Sequence, residues 1–193
     1  MTKYFINLSA PMDEIDSFLK LAEIFHFSAE MLYAVSGDGL NNCQGMGLTP
    51  EFFNNNFVPT VYLYRHAIEL IMKALLEEIE PEDIPEKHDL RFLWDRCKAT
   101  ITKNGFSFVF LDDIEKDLTW LEQKGVLDDQ LYRYPYSKKN KSENIHLKDQ
   151  GPIDTKCIVT MGGLYLRIHE IVLSIVRVKH PNFMNTLTTT KND

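Results

Sequence analysis

The chain has 193 residues, of which 44% are hydrophobic and 25% charged, with a net charge of −7. That length fits one domain with a sizeable core, and the acidic balance excludes a protein that coats nucleic acid non-specifically while leaving room for a small basic site. Three cysteines, Cys43, Cys97 and Cys157, are odd in number and lack metal-ligand spacing, so they read as free thiols in a reducing compartment.

The opening residues, Met1 to Ser9, contain no long apolar signal core, and no run approaches about 18 uninterrupted apolar residues. The expected location is therefore cytoplasmic, without a membrane partner. A first helix is predicted from about Asp13 to Val35, with Phe18, Leu19, Ala22, Phe25, Ala29 and Leu32 on one face. Ser36-Gly-Asp-Gly39 is expected to stop it. Thr49-Pro50-Glu51 is a helix-start signature, a hydroxyl cap followed by proline at the first helical position. The central segment, Phe57 to Ile79, carries Val58, Val61, Tyr64, Ile68, Ile71, Met72 and Leu75 at helical spacing. Whether Pro59 kinks it or splits it stays open at this point.

A third helix is predicted from His88-Asp-Leu90 to Asn104-Gly105, with Leu90, Leu93, Trp94, Cys97 and Ile101 inward. Phe106 to Leu111 reads as an extended link, and a fourth helix covers about Asp112 to Lys124. Val126 to about Pro152 is the longest irregular stretch. A loop of that length in a compact domain is usually functional or mobile. A last helix is predicted from Asp154 to Lys179, where Gly162-Gly163 would let a neighbouring helix approach closely. The expected architecture is an all-α bundle of four or five principal helices in a single domain, 1–193, with 183–193 a frayed tail.

Candidate chemistry concentrates on the central helix. Arg65, His66 and Glu69 interrupt an apolar pattern that does not require them. Tyr62, His66, Glu69 and Lys73 could form a solvated stripe with a Glu69–Lys73 pair. They could instead contribute to a phosphate site in which Arg65 clamps, His66 moves a proton and Glu69 orients. His88 and Asp89 open the third helix, where Asp89 suits a cap. The stretch Tyr132 to Lys141 interleaves tyrosines with Arg133, Lys138, Lys139 and Lys141, the ingredients of a single-stranded nucleic-acid surface that would include Tyr134. On the last helix His169 reads as a core residue, and Arg167 is expected to pair with Glu170. Glu23-x-x-His26 and Glu143-x-x-His146 have di-metal spacing, but the second lies in the irregular stretch, so neither a metal nor another cofactor is expected.

The series Tyr62-Leu-Tyr-Arg-His-Ala-Ile-Glu69, His88-Asp-Leu-x-x-Leu-Trp94 and Tyr132-Arg-Tyr-Pro135 resembles stand-alone bacterial HEPN-like proteins over about residues 57 to 140. The resemblance implies a helical bundle, often dimeric, in toxin–antitoxin or phage-defence systems. Many members are metal-independent ribonucleases, and others are binding modules that engage a partner protein, a nucleotide or RNA. The family's catalytic signature is an Arg followed after four to six residues by His. Arg65-His66 matches its start, but Leu70, Ile71 and Met72 occupy the places of the second His. The resemblance therefore implies a homodimeric module that is not catalytic by the standard mechanism. The alternative is a divergent ribonuclease with a composite site of Arg65, His66, Glu69 and His88.

Overall fold

The computed structural model describes residues 17–42, 50–127 and 155–181. These form five α-helices: α1 (Phe18–Asn42), α2 (Pro50–Ile79), α3 (Leu90–Lys103), α4 (Leu111–Gln123) and α5 (Thr155–Lys179). No strand occurs among the described residues, and the all-α class expected from the periodicity is the class observed.

The bundle is built around α2. Helices α1, α3 and α5 all pack on it, and α4 packs on α5. From Ala67 to Leu76 every residue of α2 is buried. A helix enclosed on several sides is buried around its whole circumference, not along one stripe. This corrects the expectation of a solvated Tyr62–His66–Glu69–Lys73 face, since Glu69 and Lys73 lie inside the molecule. Pro59 sits within α2 without splitting it, so Pro50–Ile79 is one helix.

Helix α1 also departs from expectation, because it continues through Ser36-Gly-Asp-Gly39 to Asn42. A glycine inside a helix costs about 1 kcal/mol relative to alanine, which weakens a helix without terminating it. The true stops are Gly105 and Gly125, with φ of 74° and 70°, just beyond α3 and α4. That left-handed conformation is open to glycine at little cost. The link after α3 is non-helical as expected, and Phe106, Phe108 and Phe110 pack from it onto the core.

The core joins Ile68, Ile71, Met72, Leu75 and Leu76 of α2 to Leu93, Trp94 and Ile101 of α3. Ile114, Leu118 and Leu121 of α4, and Ile158, Met161, Ile168, Val172 and Ile175 of α5, complete it. Trp94 is fully enclosed, and its indole N–H donates to Glu115 Oε2 at 3.1 Å. Gly162 lets α5 come close to α1 and α2: a Cβ there would lie 3.4 Å from both Glu30 Oε1 and the Tyr64 hydroxyl. Helix α5 is long and apolar enough to cross a membrane by length and composition, and half of its most apolar window is buried within the bundle.

Each enclosed aliphatic side chain of α2 contributes about 1.5–3 kcal/mol by leaving water. Truncating one also leaves a cavity, so Ile71→Ala is expected to lower stability by about 2–5 kcal/mol. Val109 is 96% exposed, and Val109→Ala is expected to change stability by less than about 0.5 kcal/mol. Urea denaturation of the two variants checks both.

Candidate active site

Glu69 is the centre of a buried polar network that joins α2 to the start of α3. Its side chain is 1% exposed. Arg65 lies one helical turn before it and Lys73 one turn after, so the i, i+4 geometry of α2 places a cation on either side. Lys73 Nζ donates to Oε1 at 3.0 Å, and Arg65 Nη1 lies 3.5 Å from Oε2. The Glu69–Lys73 pair read from the sequence forms, but in the interior, and Arg65 joins it as a second cation on Glu69.

The third partner comes from outside the helix. His88 Nδ1 stands 2.7 Å from Glu69 Oε1. It is delivered there by the entry into α3, where Asp89 is the N-cap with extended backbone and accepts from the Phe92 N–H at 2.8 Å. Asp89 thus has the capping role expected of it. Arg65 fastens the same region, since its Nη2 donates to the His88 carbonyl at 2.6 Å. Its Nε donates to the Leu127 carbonyl at 2.9 Å. One guanidinium therefore ties the chain before α3 and the chain after α4 to α2.

Burial alone would push the Glu69 carboxyl up. Hydrogen bonds from His88 and Lys73, reinforced by their charge, outweigh it and hold the carboxyl below the ordinary carboxylate range. A depressed carboxylate contributes stability that is present above its unfolded value and lost as pH falls through the folded one.

Above this network opens a cleft of about 500 Å³. Arg65 and Leu127 line it together with Lys87, His88, Asp89 and Arg91 at the start of α3 and Glu122 at the end of α4. Lys87 Nζ lies 4.0 Å above the Phe92 ring, and Arg91 pairs with Glu115 and Asp95. Lys87, Arg91 and Leu127 carried no signal in the sequence. They become neighbours only because the end of α4 meets the start of α3.

Of the four residues singled out for catalysis, the structure brings Arg65, Glu69 and His88 together, with Arg65 and His88 lining the cleft and Glu69 enclosed beneath it. His66 is placed differently. Its ring meets the Phe25 ring edge-on at 4.4 Å and lies parallel to Tyr62 at 6.1 Å. Its Nδ1 is 4.0 Å from Glu69 Oε2, and it does not line the cleft. The nucleic-acid candidates Arg133, Tyr134, Lys138, Lys139 and Lys141 lie outside the described residues.

A second polar cluster joins α1, α2 and α5. The Tyr64 hydroxyl donates to Glu30 Oε1 at 2.5 Å, and His169 Nε2 lies 3.2 Å from Glu23 Oε1. The His26 ring stacks on Tyr165 at 4.0 Å with planes 10° apart. Burial lowers the His26 pKa from the ordinary 6.5; Glu30 and Glu23 oppose the shift and His169 adds to it. Burial likewise raises both tyrosines, helped by Glu30 at Tyr64 and by Glu23 at Tyr165. Arg167, expected to pair with Glu170, instead reaches Asp117 of α4, while Glu170 pairs with Arg177 at 3.8 Å. Helix α4 packs on α5 and offers Arg167 a less exposed carboxylate than its own helix does. Among the described residues no group of three or more His, Cys, Asp or Glu side chains is placed to hold a metal ion. Glu143 and His146 lie outside them. Cys97 and Cys157 are both buried, and burial pushes the Cys97 thiol up, away from reactivity.

Two outcomes follow from these networks. Glu69→Gln leaves Arg65 and Lys73 buried without their counter-charge and is expected to cost about 3–5 kcal/mol in chemical denaturation. His26 binds its proton less readily folded than unfolded, so its contribution is complete above about 6.5 and is lost as pH falls below it. His26→Phe keeps an aromatic ring against Tyr165, and its stability relative to the parent protein should rise as pH is lowered from 7 to about 5. A pH-independent difference between the two proteins would contradict this.

Comparison with known proteins finds no matching family model, no matching curated protein and no matching solved structure.

Proposed function

We propose that the chain is an HEPN-like helical module that binds a phosphate-bearing ligand, RNA or a nucleotide, in the cleft above Arg65, without the family's standard ribonuclease chemistry. The observation that carries this reading is the placement of Arg65. Its guanidinium is 2% exposed, is committed to Glu69, the His88 carbonyl and the Leu127 carbonyl, and still lines the cleft. It thus acts as a fixed positive floor, and Lys87 and Arg91 add two cations from the wall. The start of α3 opens on the same space, and its aligned N–H groups favour an anion there. Asp89 and Glu122 oppose this, which makes the cleft selective in where it places a phosphate.

The departure from the standard signature supports binding over cleavage. Leu70, Ile71 and Met72 stand where the second His would be, and Leu70 is buried, Ile71 and Met72 fully so. The phage-defence or toxin–antitoxin setting, the homodimer and the partner protein rest on the resemblance alone, and a cytoplasmic location rests on the sequence pattern alone.

A second reading, a divergent metal-independent ribonuclease, is favoured by one observation: Arg65 and His88 line one cleft, and both are held there by the enclosed Glu69. Developing charge on a phosphate would meet Arg65, and His88 would move the proton.

Fluorescence anisotropy with a short single-stranded RNA tests the binding reading. Lys87→Ala should weaken binding for every sequence and reduce the salt dependence by about one ion. No binding at low salt would overturn it. Chelator-resistant cleavage of the same RNA, lost in His88→Ala, would establish the second reading in its place.

A further inference from the structure

The two glycines in the middle of α5 do not serve the same purpose. Gly162 faces inward, where a Cβ would press on Glu30 and Tyr64 at 3.4 Å. A Cβ at Gly163 would meet, among the described residues, only the far end of the Arg167 side chain, at 3.5 Å. Glycine is less favourable than alanine inside a helix, and no contact among the described residues requires it at Gly163.

The surroundings of Gly163 follow from the way α1 and α5 pair. Glu23 reaches His169, His26 stacks on Tyr165 and Glu30 lies over Gly162, so the two helices run antiparallel. One residue further along each of two antiparallel helices, both side chains turn to the same side of the pair. That step leads from His26 and Tyr165 to Phe27 and Leu166, and from Glu30 and Gly162 to Met31 and Gly163. Phe27, Met31 and Leu166 are each about half exposed, and so is Val159, one turn before Gly163. The two helices thus share an outward apolar face with no side chain at its centre. Its rim is acidic, for Glu23, Glu30 and Glu170 are all partly exposed. Over residues 23–31 and 159–170 the only Lys or Arg is Arg167, which turns away to Asp117 of α4.

We propose that this face seats an amphipathic helix of a partner protein, its apolar side laid over Gly163 and its flanks carrying Lys or Arg toward Glu23, Glu30 and Glu170. The absent Cβ lets another backbone come close. Opposite charge at the rim favours a basic partner. A second copy of this chain, docked two-fold on the same face, would bring these carboxylates against themselves, where like charges repel. None of these residues lines the cleft, so the inference stands apart from the phosphate-binding reading.

The test is titration calorimetry of the full chain at physiological salt with a synthetic helical peptide of about 18 residues. The peptide has Leu and Ala on one face and Lys on the other, and a second peptide has Glu in place of Lys. The Lys peptide should bind, and the Glu peptide should bind at least about tenfold more weakly. Gly163→Ala should raise the melting temperature by about 2–4 °C and weaken the Lys peptide about tenfold. A glycine kept for the packing of the bundle itself would destabilise on that change, and non-specific attraction to an acidic chain would be unaltered by it. A lower melting temperature, or intact binding, in Gly163→Ala overturns the inference, and so does a parent protein that binds neither peptide. Sedimentation of the parent protein beside Leu166→Lys covers the other occupant. An unchanged state of assembly is expected; a dimer that the substitution dissociates puts a second copy on this face and overturns the inference.

Discussion

A carboxylate that has left water must be answered, and Glu69 is answered from three directions. Moving an ion into a protein interior costs several kcal/mol even after relaxation, so such a group persists only where partners satisfy it. Two of those partners come from α2 itself, one turn either side. The third, His88, must be carried in by the chain that enters α3. Arg65, placed to balance Glu69, has donors left over, and these hold the His88 and Leu127 carbonyls. The walls of the cleft are therefore positioned by the same charges that make burial of Glu69 tolerable. Stability and site share one set of atoms.

The cluster among α1, α2 and α5 is organised differently. Its contacts are a tyrosine–carboxylate hydrogen bond, a histidine–carboxylate contact and a face-to-face aromatic stack. Both carboxylates come from α1, and Glu30 is itself half exposed. Burial there favours neutral forms of His26, Tyr64 and Tyr165, so the cluster sets neutral rings beside its two carboxylates. It secures α1 by hydrogen bonding and ring contact. The Glu69 network secures the cleft by ion pairing, and the two respond to opposite ends of the acid range.

The helices were legible in the sequence because apolar spacing and stop signals are local properties. Asp89 as a cap, Gly105 and Gly125 as terminators, and Thr155–Lys179 as the last helix all follow from nearby residues. Burial of the polar residues on α2 was not legible, since the number of helices packed on a segment is not written in that segment. The misfit of Arg65, His66 and Glu69 with their apolar surroundings did point to the site. It could not separate Arg65 and Glu69, which meet His88, from His66, which turns toward Phe25. The same limit applies to Arg167: its partner Asp117 is fifty residues away and becomes near only after α4 docks on α5.

Amide hydrogen exchange of the parent protein beside Arg65→Lys tests the central claim most directly. Lysine keeps the charge opposite Glu69 but cannot hold two carbonyls at once. The account predicts faster exchange confined to the start of α3 near residues 88–92 and to residues 125–127, with the core of α2 and α5 still protected. Exchange unchanged in those two segments, or raised evenly through the whole bundle, would contradict the view that Arg65 is the tie between the cleft walls.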